Sequence, residues 1–130
     1  MDGPDDVPGI EGFSQVALSV RELPRAVGFY RDVLGLPLLF EVPGMGFFDC
    51  GGVRLLLGDE TAGGTGERSA LVYFRVPDIQ AAYEALVQRG AKVHGEPRCV
   101  AKLADREVWL VHFDDLEGNT LALMSELATT

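Results

Sequence analysis

An internal repeat constrains the fold of this chain more than any other feature of its sequence. The order strand, helix and three strands occurs twice, once within residues 13–58 and again within residues 70–126. The ends of the two copies align without a gap, because GVRLLL at residues 52–57 matches GNTLAL at residues 118–123. A single unit of this kind leaves one face of its sheet uncovered, so repeated units are expected to pack together. The sequence therefore predicts an α+β fold built from two βαβββ modules.

In the first module, the spacing of apolar residues changes from that of a strand to that of a helix. Apolar residues alternate with polar or small ones over residues 15–20, which is typical of a half-buried strand. They then recur at helical spacing over residues 23–34, with Pro24 in the first turn and Gly35 as a C-terminal cap. Three further strands are predicted at residues 38–42, 46–50 and 53–57.

The second module repeats this pattern after a polar, glycine-rich linker at residues 59–69. A strand is predicted at residues 71–76 and a helix at residues 78–88, with Asp78 as its N-cap and Gly90 as its C-terminal stop. The remaining strands are predicted at residues 91–94, 107–113 and 119–124. Residues 1–12 are rich in acidic residues, proline and glycine, so we expect a flexible tail before a single domain at residues 13–130.

Composition excludes several classes of function. The chain has 130 residues with 11 basic and 20 acidic side chains, a net charge of −9. This balance disfavours binding to nucleic acid or to an anionic membrane, both of which attract basic surfaces. No apolar run is long enough to span a bilayer, and the acidic N-terminus is unlike a signal peptide. Cys50 and Cys99 form no metal or disulfide pattern, so we expect a cytoplasmic, reduced protein.

Two motifs resemble those of the vicinal oxygen chelate superfamily, which includes glyoxalase I, bleomycin-resistance proteins, extradiol dioxygenases and fosfomycin-resistance enzymes. Residues 16–36 (VALSVRELPRAVGFYRDVLGL) are similar to its first strand and helix. Residues 114–119 (DDLEGN) resemble its DPxGN turn, with Asp115-Leu116 in place of the usual Asp-Pro. The resemblance covers residues 12–126. It implies a curved, mixed-sheet cup with the helices outside.

The resemblance also implies which face of each first strand lines the cup. Alternating side chains point to opposite faces of a strand. The side chains expected to pack beneath the helices are Val16, Leu18 and Val20 in module one and Val72, Phe74 and Val76 in module two. Those expected to face the cup are Gln15, Ala17 and Ser19 in module one and Leu71, Tyr73 and Arg75 in module two.

Family members that bind a metal have ligands at four equivalent positions. The resemblance carries these positions onto Gln15 and Leu71 in the first strands and onto Leu56 and Ala122 in the last strands. Only Gln15 has a donor atom, whereas a catalytic metal needs about three protein donors. Other candidate ligands form no H-x-E or E-x-x-H pattern: His94, Asp105, Glu107, His112 and Asp114. We therefore predict no metal and no cofactor.

Arg54 and Arg75 are the strongest candidates for ligand recognition. Each lies between apolar strand residues and alternates in step with the residues expected to face the cup. There a guanidinium group can bind a carboxylate through two hydrogen bonds. The alternative is that each arginine pairs with an acidic side chain or extends to the rim. Trp109 has two possible roles: a stacking surface for an aromatic ligand, or a core side chain beneath a helix.

Aromatic residues surround a predicted turn at residues 44–46. Phe40, Met45, Phe47 and Phe48 would form a pocket wall, part of the core or a dimer interface. Open sheet edges must be covered, and two-fold pairing is the commonest solution. We therefore expect a homodimer, with residues 44–48 and 123–124 as candidate contacts. The sequence contains no nucleophile motif and no phosphate-binding loop, so catalytic residues are unassigned.

These observations favour a glyoxalase/bleomycin-resistance-like protein that binds a small molecule in an apolar cup without the metal of the family. The expected ligand has an apolar or aromatic body and one acidic group. The predicted ligand-binding residues are Gln15, Arg54, Leu56, Leu71, Tyr73, Arg75, Trp109 and Ala122. One alternative is a glyoxalase-like lyase or isomerase, or a dioxygenase-related enzyme, with a rearranged or absent metal site. Another is a structural or regulatory domain without a ligand.

Overall fold

The computed structural model describes residue 9 and residues 13–60 and 71–129. The rest of the predicted tail and residues 61–69 of the predicted linker lie outside the described residues. The first module comprises β1 (Gln15–Ser19), α1 (Leu23–Gly28), β2 (Leu38–Val42), β3 (Met45–Cys50) and β4 (Val53–Gly58). The second comprises β5 (Val72–Arg75), α2 (Ile79–Gln88), β6 (Lys92–Lys102), β7 (Arg106–Asp114) and β8 (Thr120–Ala128). The predicted α+β fold of two βαβββ modules is confirmed.

The two modules have the same sheet topology. The strand orders are β1-β4-β3-β2 and β5-β8-β7-β6, so the first and last strands of each module are neighbours. These neighbours run parallel, and the other pairs run antiparallel. In the described residues, none of the helices is long and apolar enough to cross a membrane.

One face of each sheet is buried against the helices. Leu18 and Val20 are each 1% exposed, and Phe113 and Val111 of the second sheet are fully buried. These side chains join residues of α1 and α2 in a single hydrophobic core, against which Val16, Val72, Phe74 and Val76 also pack. The alternation predicted for β1 and β5 is therefore confirmed on the buried side.

The first helix differs from the single helix predicted for residues 23–34. After α1 the chain continues through a π-helical turn, Phe29–Val33, in which the Leu34 amide donates to the Phe29 carbonyl at 3.1 Å. The wider turn lets the consecutive rings of Phe29 and Tyr30 both reach the core, 5.6 Å apart in an edge-to-face arrangement. Gly35 has a φ of +75°, as expected of a C-terminal cap.

The largest error in the predicted strands concerns β6. The strand was expected to end at residue 94, but it continues past Gly95 and Pro97 to Lys102. β6 lies at the edge of its sheet, where proline is tolerated because its missing N–H needs no partner strand. A register shift between His94 and Arg98 accommodates the extra residues as a bulge. β8 likewise extends beyond the predicted residue 124 to Ala128.

A buried hydrogen-bond network, which we call the junction network, connects the two modules. Asp115, only 6% exposed, accepts a hydrogen bond of 2.7 Å from the Tyr30 hydroxyl of module one. Its carboxylate also accepts from the amides of Glu117 and Asn119 at 2.8 Å and from Asn119 Nδ2 at 2.9 Å. Asn119 Nδ2 in turn donates to the Ser19 carbonyl at 3.3 Å. Burial and the Asp115 carboxylate raise the pKa of Tyr30 well above its ordinary value.

Glu117 adds a second link between the modules. Its carboxylate accepts hydrogen bonds from the backbone amides of Arg21 and Glu22 at 2.9 and 2.8 Å, at the start of α1. Burial by itself would raise the pKa of Glu117, but these two amides and the Arg21 guanidinium outweigh that effect and lower it. The turn that resembles DPxGN therefore holds module two against the first helix.

Candidate functional site

The exposed face of the first sheet is mostly apolar and carries Arg54, with Asp49 opposite it on β3. Cross-strand pairing places Ala17, Leu56, Phe47 and Phe40 in one row across the sheet. The rings of Phe40 and Phe47 stack with their centroids 4.4 Å apart. The guanidinium carbon of Arg54 lies 6.0 Å from the Phe47 centroid, which is a cation–π distance. We call this surface face one.

The exposed face of the second sheet, face two, is more polar. One row across it consists of Tyr73, Ala122, His112 and His94. The rings of Tyr73 and His112 are in edge contact, with centroids 6.4 Å apart. His94 Nε2 lies 2.8 Å from Asp114 Oδ1. The neighbouring row consists of Arg75, Met124, Leu110 and Arg98.

The predicted ligand-binding residues fall into two groups, one on each sheet. Gln15, Arg54 and Leu56 belong to face one, and Tyr73 and Arg75 to face two. Leu71 is exposed just before β5. No strand pairing joins the two sheets in the part of the chain that the structure describes. The two groups therefore do not form one continuous sheet surface within a chain.

Ala122 does not fit the predicted role in ligand contact. It lies between Tyr73 and His112 in its row and is fully buried. A side chain without accessible surface cannot touch a ligand in this conformation. Ala122 instead allows the larger neighbouring side chains to cover the centre of face two.

Trp109 lies on the buried side of its sheet and not on face two. It has the parity of Val111 and Phe113, both fully buried, and packs against the hydrophobic core. Its indole Nε1 donates to Glu107 Oε1 at 3.0 Å. Of the two roles that the sequence left open, the structure therefore supports the core side chain and not the stacking surface.

The segments proposed as dimer contacts are only partly accessible. Phe48 is fully buried and Leu123 is 5% exposed, so neither is available to a partner. The turn consists of Pro43 and Gly44, because β3 already begins at Met45. The exposed aromatic surface of this region is formed by the stacked Phe40 and Phe47.

The donor atoms at the family's four metal positions do not fit a divalent cation. Gln15 offers one amide oxygen, whereas Leu56, Leu71 and Ala122 offer none. Among the described residues, no group of three or more His, Cys, Asp and Glu side chains is arranged to hold a metal ion. His94, the nearest nitrogen ligand to Asp114, is already hydrogen-bonded to that carboxylate.

Two cavities lie where the modules meet. One, of about 230 Å³, is lined by Phe13, Val16 and Arg54 of module one and by Tyr73 and Phe74 of module two, among others. The other, of about 260 Å³, lies between the end of the first helix and α2. Cys50 borders both, and burial raises the pKa of its thiol, which disfavours the reactive thiolate.

Several residues of face two could not be predicted from the sequence. Arg98 was overlooked because β6 was expected to end four residues before it. Leu110 and Met124 belong to the same row, and their parity with Arg75 is visible only once the register of β7 and β8 is known. The alternation of residues 107–113 gave the two faces of β7 but not which one was exposed.

Comparison with known proteins identifies the family. Residues 12–123 match the model of the Glyoxalase/Bleomycin resistance protein/Dioxygenase superfamily. The chain belongs to this superfamily. The match covers the fold of both modules, including the two motifs that meet in the junction network.

The individual proteins that this chain resembles are distant in sequence. The protein YraH of Bacillus subtilis (strain 168) is 28% identical over 87% of this chain and 97% of its own length. Metallothiol transferase FosB of Staphylococcus haemolyticus (strain JCSC1435) is 28% identical over 88% of this chain and 83% of its own. The crystal structure of lactoylglutathione lyase from Agrobacterium tumefaciens superposes with a TM-score of 0.76 at 22% identity, covering 89% of this chain and 94% of that one. That structure supports the shared fold.

Proposed function

We propose that this superfamily member binds a small organic molecule with an apolar or aromatic body and an acidic group. The observation that carries the proposal is Arg54, whose guanidinium carbon lies 6.0 Å from the centroid of Phe47, the ring that stacks with Phe40. Asp49 lies opposite Arg54 in the strand register, but the two form no ion pair, and the Asp49 carboxylate accepts from the Gly52 amide at 3.2 Å. A ligand carboxylate would complete its hydrogen bonding while the aromatic pair contacts the ligand body.

Thermal-shift screening with aromatic carboxylates, benzoate and naphthoate among them, tests this proposal. We expect stabilisation of the native protein, since a ligand that binds only the folded state raises the melting temperature. Arg54→Met should reduce the shift, whereas Arg25→Met, which removes an exposed helix arginine paired with Glu22, should not. Equal shifts in both variants would refute the role of Arg54, and no shift with any carboxylate would refute the proposed ligand class.

The proposal includes a homodimer in which face one of one copy meets face two of the other. Two observations support it. The predicted ligand-binding residues lie on two separate sheets, although Arg54 and Tyr73 border one cavity. The exposed Phe40 and Phe47 also form an apolar surface on a chain with free edge strands β2 and β6. Light scattering at micromolar concentration should give twice the chain mass of 14.0 kDa; the monomer mass would rule the dimer out.

The proposed binding does not use a metal. The donor set at the four family positions supports this, although FosB is by name a metallothiol transferase. Metal analysis of protein purified without chelator should find less than stoichiometric Zn, Ni, Fe or Mn after dialysis. A stoichiometric metal that survives dialysis would contradict this part of the proposal and favour a lyase, isomerase or dioxygenase-related enzyme with rearranged ligands.

A further inference from the structure

The arginines of this protein differ in whether they have a partner. Five of the described ones contact a carboxylate or a backbone carbonyl: Arg21, Arg25, Arg31, Arg89 and Arg106. Arg54, Arg75 and Arg98 make no hydrogen bond or ion pair with any described residue. Because the chain has 20 acidic and 11 basic side chains, this is not for lack of acids. All three lie on the exposed sheet faces, and two of them share face two.

Arg75 and Arg98 stand at opposite ends of one row of face two. Arg75 pairs with Met124, Met124 with Leu110, and Leu110 with Arg98, so all four side chains project from the same side of the sheet. Neighbouring strands are about 4.8 Å apart, which puts the two arginine Cα atoms roughly 14 Å apart. Met124 and Leu110 are half-buried and form an apolar strip between the two guanidinium groups.

The acidic groups close to this row are engaged with other partners. Asp114 is bound to His94, and Lys92 lies 3.9 Å from its second oxygen. Glu126 accepts from Arg106 at 2.9 Å. Glu96, two residues before Arg98, forms no ion pair with it. The row therefore has one arginine at each end of an apolar strip, and neither forms an ion pair with a described residue.

We infer that face two binds a small dianion whose two acidic groups are joined by a short apolar segment, with Arg75 and Arg98 each binding one end. This inference goes beyond the proposed function, in which Arg54 of face one binds a single acidic group, and gives face two a ligand class with two acidic groups. A guanidinium–carboxylate pair adds about 4 Å at each end, so the ligand carboxylates should be roughly 6 Å apart. That is the separation in an extended adipate. Met124 and Leu110 would contact the methylene groups.

The experiment is an NMR titration of the full chain at low salt with succinate, adipate and suberate, each beside the monocarboxylate of equal carbon number. We expect adipate to bind about tenfold more tightly than hexanoate, with the shifts centred on β6, β7 and β8. Arg75→Met and Arg98→Met should each lower the adipate affinity about tenfold and leave that of hexanoate within about twofold. Arg25→Met, with the same change of charge, is the control for net charge, and the melting temperature of each variant checks folding.

The outcomes separate this inference from the proposed function. If adipate binds no better than hexanoate, or if Arg98→Met binds adipate as the unmodified chain does, the two-anion site is refuted and the single-anion proposal stands. If neither of these compounds binds and no aromatic carboxylate stabilises the protein, both proposals fail. A preference for succinate or suberate over adipate would contradict the geometry of the row.

Discussion

The junction network and face two use neighbouring carboxylates in opposite ways. Asp115 is 6% exposed and accepts four hydrogen bonds, one of them from Tyr30 in the other module. Asp114, one residue earlier, points to the exposed face and contacts His94, Lys92 and Thr120. This contrast between Asp115 and Asp114 explains the family resemblance. The two most recognisable motifs of this chain meet at the junction and hold the modules together, so they identify the fold and not the ligand.

The largest expected effect comes from Asp115→Ala. The substitution removes the acceptor of three buried hydrogen bonds and of the part-buried Glu117 amide, and we expect the free energy of unfolding to fall by about 3–5 kcal/mol. Asp114→Ala is the matched control and should cost about 1 kcal/mol or less, because its partners are exposed. Urea denaturation of both variants measures the difference. Similar losses in the free energy of unfolding of the two variants would contradict the proposed difference between the junction network and face two.

Tyr30→Phe removes one hydrogen bond of the junction network and should cost about 1–2 kcal/mol. It also tests a pH dependence. Because the pKa of Tyr30 is raised in the folded state, its contribution is complete below about pH 10, the pKa of an unfolded tyrosine, and declines as the pH rises further. Denaturation between pH 8 and 11, a range of about three units around that pKa, should show a smaller alkaline loss in the variant. An unchanged alkaline slope would argue against this role of Tyr30.

Gly46→Ala tests the buried side of the first sheet. A Cβ atom at Gly46 would lie 2.9 Å from Val27 Cγ2, and the branched valine has little freedom to move aside. We expect a loss of about 1–3 kcal/mol from overpacking. Gly28→Ala is the control, since its nearest neighbour atom would be 4.0 Å away and alanine favours a helix. In thermal denaturation, Gly46→Ala should therefore have a lower melting temperature than the unmodified protein, and Gly28→Ala a higher one.

The smallest effects on stability are expected on the exposed faces. Arg75→Met and Arg98→Met remove no ion pair or hydrogen bond with a described residue, so each should change the free energy of unfolding by less than about 0.5 kcal/mol. Arg54→Met also removes the cation–π contact with Phe47, so its loss should be about 0.5–1 kcal/mol. Urea denaturation checks this. A loss comparable to that of Tyr30→Phe would mean that these arginines serve the fold, and it would weaken the case for ligand binding.

The fold could be predicted because its determinants are local or periodic. Alternation in β1, helical spacing from Leu23 onwards and the repeated GVRLLL and GNTLAL segments each follow from which residues must be buried. The end of β6 could not be predicted, since the tolerance of Pro97 depends on the strand being at a sheet edge. Which strand lies at an edge is a property of the assembled sheet.

The candidate site was predicted less completely, for a related reason. Arg54, Tyr73 and Arg75 are exposed on the faces that their parity indicated. Ala122, by contrast, is fully buried, and Trp109 is partly buried and packs against the core. The alternation of residues assigns side chains to the two faces of a strand. Which of the two faces is buried depends on the elements that pack against each.

Two βαβββ modules, their buried stripes and the superfamily of the chain could be predicted from the sequence. Burial of apolar side chains drives these features, and it acts through spacings that can be counted along the chain. Only the tertiary structure brought Tyr30 to Asp115 and placed Arg75 and Arg98 in one row. Those contacts join residues far apart in the sequence, and their register is fixed by pairing across several strands, which no local spacing encodes.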